Sequence, residues 1–443
     1  MDLLNGNIRS VYFRYLAASF GSVLITSIYG LVDMAMVGQY HGPNGTAALA
    51  VVAPIWNLMF SLGLLTGIGG AVLYSSARGS GQSGREPNEY FTASVIYTAA
   101  VSLLCWGAVL LFQRPLLRFF GADEVLLPLA ERYMKPVKLV IPCFMFSQML
   151  SAFLRNDNDP GRATAAVLSG GIFNIFGDWF FVFHLDMGVF GAGLATAIGS
   201  LITIAVTLSH FFSRKNTLRL VRPSNFGHRL RLISVNGFSS FFLDVAMGIL
   251  TIMFNRQIMK YLGGDALAVY GVIINVSTIV QCCAYSVGQS AQPVMSVNYG
   301  AGKSERILET LKYALMAAAF FSIVWMAVTL AVPNGFIRIF MQPTNSVLAI
   351  APGIIRRYAI SFLLLPLNIF STYYFQSIMK PGYSMAVSVL RGIALSGTLI
   401  FILPAIFPAE AIWFAMPVTE LVTAALSVFL ICRCSARLRA GTN

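Results

Sequence analysis

Residues 67–85 read GIGGAVLYSSARGSGQSGR and residues 288–306 read GQSAQPVMSVNYGAGKSER. With the second stretch shifted back by 221 positions, Gly67, Ser75, Gly79, Gly81, Ser83 and Arg85 fall on Gly288, Ser296, Gly300, Gly302, Ser304 and Arg306. After a small gap the match continues upstream, where GTAALAVVAP (45–54) answers GDALAVYGV (264–272). The chain therefore reads as two halves on one plan, with the boundary in the basic, Pro223-containing stretch 214–231. The expected lobes are 1–225 and 226–443.

The composition says what the halves are made of. Of 443 residues, 57% are hydrophobic and 11% charged, and the mean hydropathy is +0.74. An ordinary soluble domain carries about 25% charged residues, so this is an integral membrane protein. A hydrocarbon core about 30 Å thick takes roughly 20 apolar residues per helix. Segments of that kind centre near residues 25, 60, 100, 140, 175, 200, 247, 280, 320, 362, 393 and 421. The fold class expected is all-α, with twelve transmembrane helices in two six-helix lobes. A barrel would show weaker alternating segments instead. Six helices separate the repeated stretches, so both copies keep one orientation and the lobes should be related by an axis along the membrane normal. That duplication is a transporter signature.

The net charge of +13 does not point to nucleic acid, because Lys and Arg gather at helix ends and form no continuous stripe. Most of them fall on the side of the chain ends, which places both termini in the cytoplasm. The first apolar run is long, lacks a small-residue cleavage pattern and reads as helix 1, not as a leader. The six cysteines have neither metal-ligand spacing nor partner histidines, and packing explains them. His41, His184, His210 and His228 fall at predicted helix ends or loops and read as interfacially solvated.

Two motifs mislead. YGAGKS (299–304) resembles the end of a phosphate-binding loop, but the first glycine of that motif would have to stand at Val297, and a membrane helix precedes it instead of a strand. GLLTG (63–67) fits a small-residue helix contact. No nucleophile elbow, HExxH or zinc-type cysteine pair is present, so an enzyme is not expected.

The informative residues are acids inside apolar helices: Asp33, Asp178, Asp244 and Glu420. Each costs about 2.5–3.5 kcal/mol at the bilayer centre unless it is neutralised, paired or hydrated. For Glu420 the expectation is a structural ion pair with Arg391 on the adjacent helix. Asp33 and Asp178 have no basic residue at comparable depth in the first six helices. Asn174 lies one helical turn before Asp178, on the same face. Two carboxylates gathered with an amide at low dielectric either share a proton or bind a cation. Hard oxygen ligands without sulfur or imidazole suit H+ or Na+ better than a transition metal.

Six stretches in order, VDMAMVG (32–38), SAFLRNDNDP (151–160), NIFGDWFFVF (174–183), GVFGAGLAT (188–196), VGQSAQPVMSVNYGAGKSER (287–306) and AIWFAMPVTE (411–420), resemble the multidrug and toxic compound extrusion (MATE) family, in its branch of bacterial exporters. The resemblance implies an H+- or Na+-coupled antiporter that exports amphipathic, often cationic, organic compounds by alternating access. It implies a cation site at Asp33, Asn174, Asp178 and Thr196, the last position coming from the resemblance alone. Asp244 matches a second-lobe carboxylate of other members, whereas helix 10 offers Tyr373 and Gln376 and no acid. The expected partners are a small organic substrate and the lipid bilayer of a bacterial inner membrane, with no nucleic acid, no cofactor beyond the coupling ion, and a monomeric state. The alternatives are a dedicated exporter of one endogenous metabolite and, further off, a lipid-linked oligosaccharide flippase, whose cavity should be cationic where this chain places acids.

Overall fold

The structure, a computed structural model, describes residues 2–81, 85–341 and 343–440. Ser83, one of the matched repeat positions, lies outside the described residues. Among the described residues, twelve helical spans are long and apolar enough to cross a membrane: span 1 Ile8–His41, span 2 Pro43–Gly79, span 3 Arg85–Phe119, span 4 Leu126–Asn156, span 5 Pro160–His184, span 6 Gly188–Phe212, span 7 Phe226–Tyr261, span 8 Gly263–Gly300, span 9 Ser304–Ala331, span 10 Asn345–Ser377, span 11 Pro381–Ile406 and span 12 Ala409–Arg439. A short helix, Pro333–Phe340, joins spans 9 and 10. Among the described residues there is no strand. The expected all-α class with twelve spans is what the chain forms.

Proline chemistry breaks two spans. In span 4 a 3-10 turn, Lys138–Val140, stands between Pro136 and Pro142, and in span 10 the turn Ile360–Leu363 precedes Pro366. Each proline removes a backbone donor and crowds the preceding turn, so the α ladder restarts after it. Pro142 and Pro366 each open the helix that follows, where a missing N–H costs nothing.

The duplication is clearer in the backbone than in the side chains. Left-handed residues recur 221 positions apart: Gly42 (φ 66°) with Gly263 (φ 82°), Gly81 (φ 71°) with Gly302 (φ 67°), and Asn158 (φ 63°) with Met379 (φ 54°). Asn tolerates that region, whereas Met adopts it against preference. Met379 holds it because the same turn, followed by a helix opened by Pro160 or Pro381, is used in both halves.

The chain divides into two compact units, one built from Ala17–Phe241 and the other from Leu3–Leu16 and the residues from Phe242 onward. Spans 1 and 7 therefore each contribute to both units. In the first unit, Val52, Ile55, Met134, Ile141 and Met145 belong to one buried cluster. In the second, Tyr12 joins Val287, Met295, Phe370 and Tyr374. The large apolar side chains left outside, such as Leu104, Leu111 and Phe320, suit a lipid surrounding.

Small residues set how closely the helices approach. A Cβ on Gly67 would lie 2.8 Å from the Met149 Cα, so the GLLTG contact is with span 4. A Cβ on Gly69 would lie 2.2 Å from the Ile233 carbonyl oxygen, and one on Gly237 would lie 2.0 Å from the Leu65 carbonyl oxygen. Here span 2 and the beginning of span 7 meet backbone to backbone, with no flexible side chain to yield. Gly237→Ala is expected to destabilise the protein by about 1–3 kcal/mol through overpacking. Gly107→Ala, with nothing near its added methyl, should be neutral or mildly stabilising. Thermal unfolding of both variants in detergent checks the contrast.

Candidate functional site

Three close approaches build the site in the first unit. A Cβ on Gly171 would lie 2.7 Å from the Ile25 side chain, which brings span 5 against span 1. Gly170 and Gly199 bring span 5 against span 6, since a Cβ on Gly170 would lie 2.5 Å from the Gly199 carbonyl oxygen. A Cβ on Gly193 would lie 2.2 Å from the Tyr133 carbonyl oxygen, which brings span 6 against span 4. Asp33, Asn174, Asp178 and Thr196 ride on these helices, and all four are buried.

Tyr133 joins them. Its hydroxyl donates to Asp33 Oδ2 at 2.7 Å and lies 3.2 Å from Thr196 Oγ1, which also accepts from Asn174 Nδ2 at 3.1 Å. Asp33, Tyr133, Thr196 and Asn174 thus form one connected chain across spans 1, 4, 6 and 5. Asp178 is 0% exposed and sits at the last α-helical position before a π-helical stretch, Trp179–His184, a geometry frequent at functional sites. It lies within electrostatic reach of Asp33.

What distinguishes the cluster is its surplus of acceptors. Asp33 Oδ1, Asn174 Oδ1 and both carboxylate oxygens of Asp178 are buried without a hydrogen-bond donor among the described residues. Buried polar atoms are nearly always partnered, so four such oxygens in one cluster call for a proton or cation to face them. A small cavity of about 30 Å3, lined by Thr26, Tyr29, Ser147, Gln148, Asn174 and Thr196 among others, abuts the cluster.

The second unit is arranged differently. Asp244 is half-buried and accepts from the Tyr285 hydroxyl at 3.1 Å. Arg391, in the π-helical stretch Leu390–Ala394, donates from Nε to Glu420 Oε1 at 2.8 Å. Asn368 Nδ2 donates to Glu420 Oε2 at 2.6 Å. Arg391 and Glu420 are 4% and 0% exposed, so the pair is fully internal. Tyr373 packs its ring on Gly288, where an added Cβ would meet it at 2.4 Å.

One histidine departs from expectation. His210 is not interfacially solvated but 0% exposed, with Nε2 2.8 Å from Asp157 Oδ2 and Nδ1 3.2 Å from Asp159 Oδ2. Each ring nitrogen thus faces a carboxylate oxygen. Asp157 also accepts from the Tyr74 hydroxyl and Arg78 Nη1, each at 3.0 Å, and Asp159 accepts from Lys215 Nζ and Arg162 Nε, each at 3.0 Å. Burial pushes the Asp157 carboxyl up, but the donors His210 and Thr217 and the charge of Arg78 outweigh it and hold the group below the ordinary aspartate range. This is why SAFLRNDNDP carries two acids: they tie the turn after span 4 to spans 2 and 6.

Known proteins show the same frame. The family model MatE matches the chain twice, over residues 18–180 and 238–398, one match in each half. Multidrug export protein MepA of Staphylococcus aureus (strain NCTC 8325 / PS 47) is 21% identical over 425 residues, covering 95% of this chain and 92% of the relative. Its counterpart from Staphylococcus haemolyticus (strain JCSC1435) is 23% identical over 414 residues, covering 92% and 90%. Among solved structures, the outward-facing conformation of a multidrug resistance MATE family transporter of the MOP superfamily superposes with a TM-score of 0.88 at 19% identity, covering 99% of this chain and 98% of that one. A MOP superfamily transporter from Pyrococcus furiosus gives 0.90 at 18% identity, with the same coverage. Since the family model spans most of both halves, and its members are transporters and not enzymes, the chain belongs to the MatE family of membrane transporters.

Proposed function

We propose that the protein exports amphipathic, often cationic, organic compounds in exchange for H+ or Na+, and that the exchange is coupled at Asp33, Asn174, Asp178 and Thr196, with Tyr133 as an added member. The observation that carries this reading is the set of buried, donor-less oxygens on Asp33, Asn174 and Asp178. A cation or proton arriving there neutralises charge that is otherwise expensive inside a membrane. If it binds one conformation more tightly than the other, it shifts the population between inward- and outward-open states, which is what coupling requires. Asp244 is a second candidate for coupling in the other unit. The protein works as a monomer in a bacterial cytoplasmic membrane, with both termini in the cytoplasm, in keeping with the charge bias of its loops.

The energetics suffice with one ion per cycle. A single charge moving down 100 mV releases about 2.3 kcal/mol, enough for roughly a fortyfold gradient of a neutral solute. The test is efflux of a fluorescent cationic dye from proteoliposomes, with proton and sodium gradients imposed separately. One gradient should accelerate efflux above the protein-free rate while the other leaves it unchanged. Efflux that ignores both gradients would overturn ion coupling. A protein that moves no dye but is driven by an ion toward a single metabolite would be a dedicated exporter on the same frame.

A further inference from the structure

Between Phe212, the last residue of span 6, and Phe226, the first of span 7, the chain reads SRKNTLRLVRPSN, which contains four basic residues and no acid. Arg229 and Arg231 follow on the first turns of span 7. The segment is pinned in place. The backbone N–H groups of Thr217, Arg219, Val221 and Ser224 donate to Asp157 Oδ2, Asn88 Oδ1, Thr92 Oγ1 and Glu89 Oε2 at 2.9, 2.7, 3.0 and 3.1 Å. The amides of Thr217, Arg219 and Val221, alternate residues, therefore face inward as an extended strap requires, and that of Ser224 ties down its end.

Two of the cations are used internally. Lys215 pairs with Asp159, and Arg229 pairs with Glu89 and lies over the Tyr90 ring. Arg214, Arg219, Arg222 and Arg231 are exposed and meet no carboxylate among the described residues. Alongside them stand two large apolar side chains, Phe212 at 93% exposure and Leu220 at 69%. The second unit makes the contrast: at the repeated stretch, Lys303 and Arg306 turn inward onto the main-chain carbonyls of Leu3, Leu4 and Gly6.

We propose that this strap is a docking strip for the anionic headgroups of membrane phospholipids, with Arg214, Arg219, Arg222 and Arg231 on the phosphates and Phe212 and Leu220 in the acyl boundary. The strap is tied at both ends to membrane spans only residues 213–225 apart, so it runs along the bilayer surface. That surface offers anionic headgroups, and a guanidinium matches phosphate geometry with two parallel donors. The exposed Phe and Leu separate this reading from a site for a soluble acidic protein, since apolar side chains gain by entering the interface.

The test uses the full-length protein in phosphatidylcholine bilayers containing a minority of phosphatidylglycerol, and measures the motionally restricted fraction of spin-labelled phosphatidylglycerol against spin-labelled phosphatidylcholine. The wild type should restrict the anionic lipid several-fold more strongly, with the preference falling as salt is raised. The variant Arg214→Gln/Arg219→Gln/Arg222→Gln/Arg231→Gln should bring the ratio close to one, and Phe212→Ser/Leu220→Ser should lower it. These side chains are exposed, so the variants should elute as the wild type does on size exclusion. Arg433→Gln/Arg439→Gln, which removes exposed cations from the end of span 12, should leave the preference intact. A quadruple variant that keeps the preference, or a control that loses as much, would overturn the strip, the second by assigning the preference to overall charge.

Discussion

Asp178→Asn is expected to reduce gradient-driven efflux to the protein-free background while leaving the protein folded. Both Asp178 oxygens are buried without a donor, so the carboxylate supports no partner whose loss would unravel a helix contact. Replacing it by an amide removes the charge but keeps the shape. A purely structural acid would lose stability on substitution; a coupling acid, held at a cost for its ion, should lose transport and keep or gain stability, by up to about 1–3 kcal/mol. Asp33→Asn should behave alike, because an amide oxygen can still accept from the Tyr133 hydroxyl. Tyr133→Phe removes only the bridge from Asp33 to Thr196, and should raise the ion concentration for half-maximal efflux without abolishing transport. Dye efflux and thermal unfolding on the same preparations separate these outcomes. Normal transport by Asp178→Asn would make that residue structural and move the search to Asp244.

Much of this arrangement is legible in the sequence because membrane burial simplifies the code. A long apolar run has few ways to satisfy its backbone other than a helix, so the twelve spans follow from composition and length. Asn174 and Asp178 are legible as a pair because one helical turn fixes their common face. Tyr133 is not legible. It stands in the ordinary run ERYMKP, and what brings it to Thr196 is the close approach at Gly193, a contact between distant segments that no local period encodes. His210 misleads for a similar reason: its partners Asp157 and Asp159 lie about fifty residues earlier, in a turn whose acids look solvated until the fold closes over them. The sharing of spans 1 and 7 between the two units is also invisible, because each helix is apolar along its length and only tertiary packing decides which neighbours each part keeps.

The largest effect on stability is expected at Arg391 and Glu420. The guanidinium and carboxylate meet at 2.8 Å with almost no exposure, and Asn368 supplies the second carboxylate oxygen with a donor at 2.6 Å. Taking either charge away strands the other in a medium that solvates it poorly. Arg391→Met or Glu420→Leu alone should therefore cost about 3–5 kcal/mol. Removing both charges together is a different perturbation, since an apolar pair of similar volume needs no desolvation. Arg391→Met/Glu420→Leu should recover most of the loss and end within about 1–2 kcal/mol of the wild type, on either side. A double-mutant cycle on thermal or denaturant unfolding in detergent gives the coupling energy directly. Additive losses would mean that the two side chains act independently despite their contact. Transport by the double variant then separates two roles for the same pair. If efflux survives with the stability, the bridge only joins spans 11 and 12; if stability returns and efflux does not, the internal charge takes part in the transport cycle, which places a second charged station in the unit that also holds Asp244.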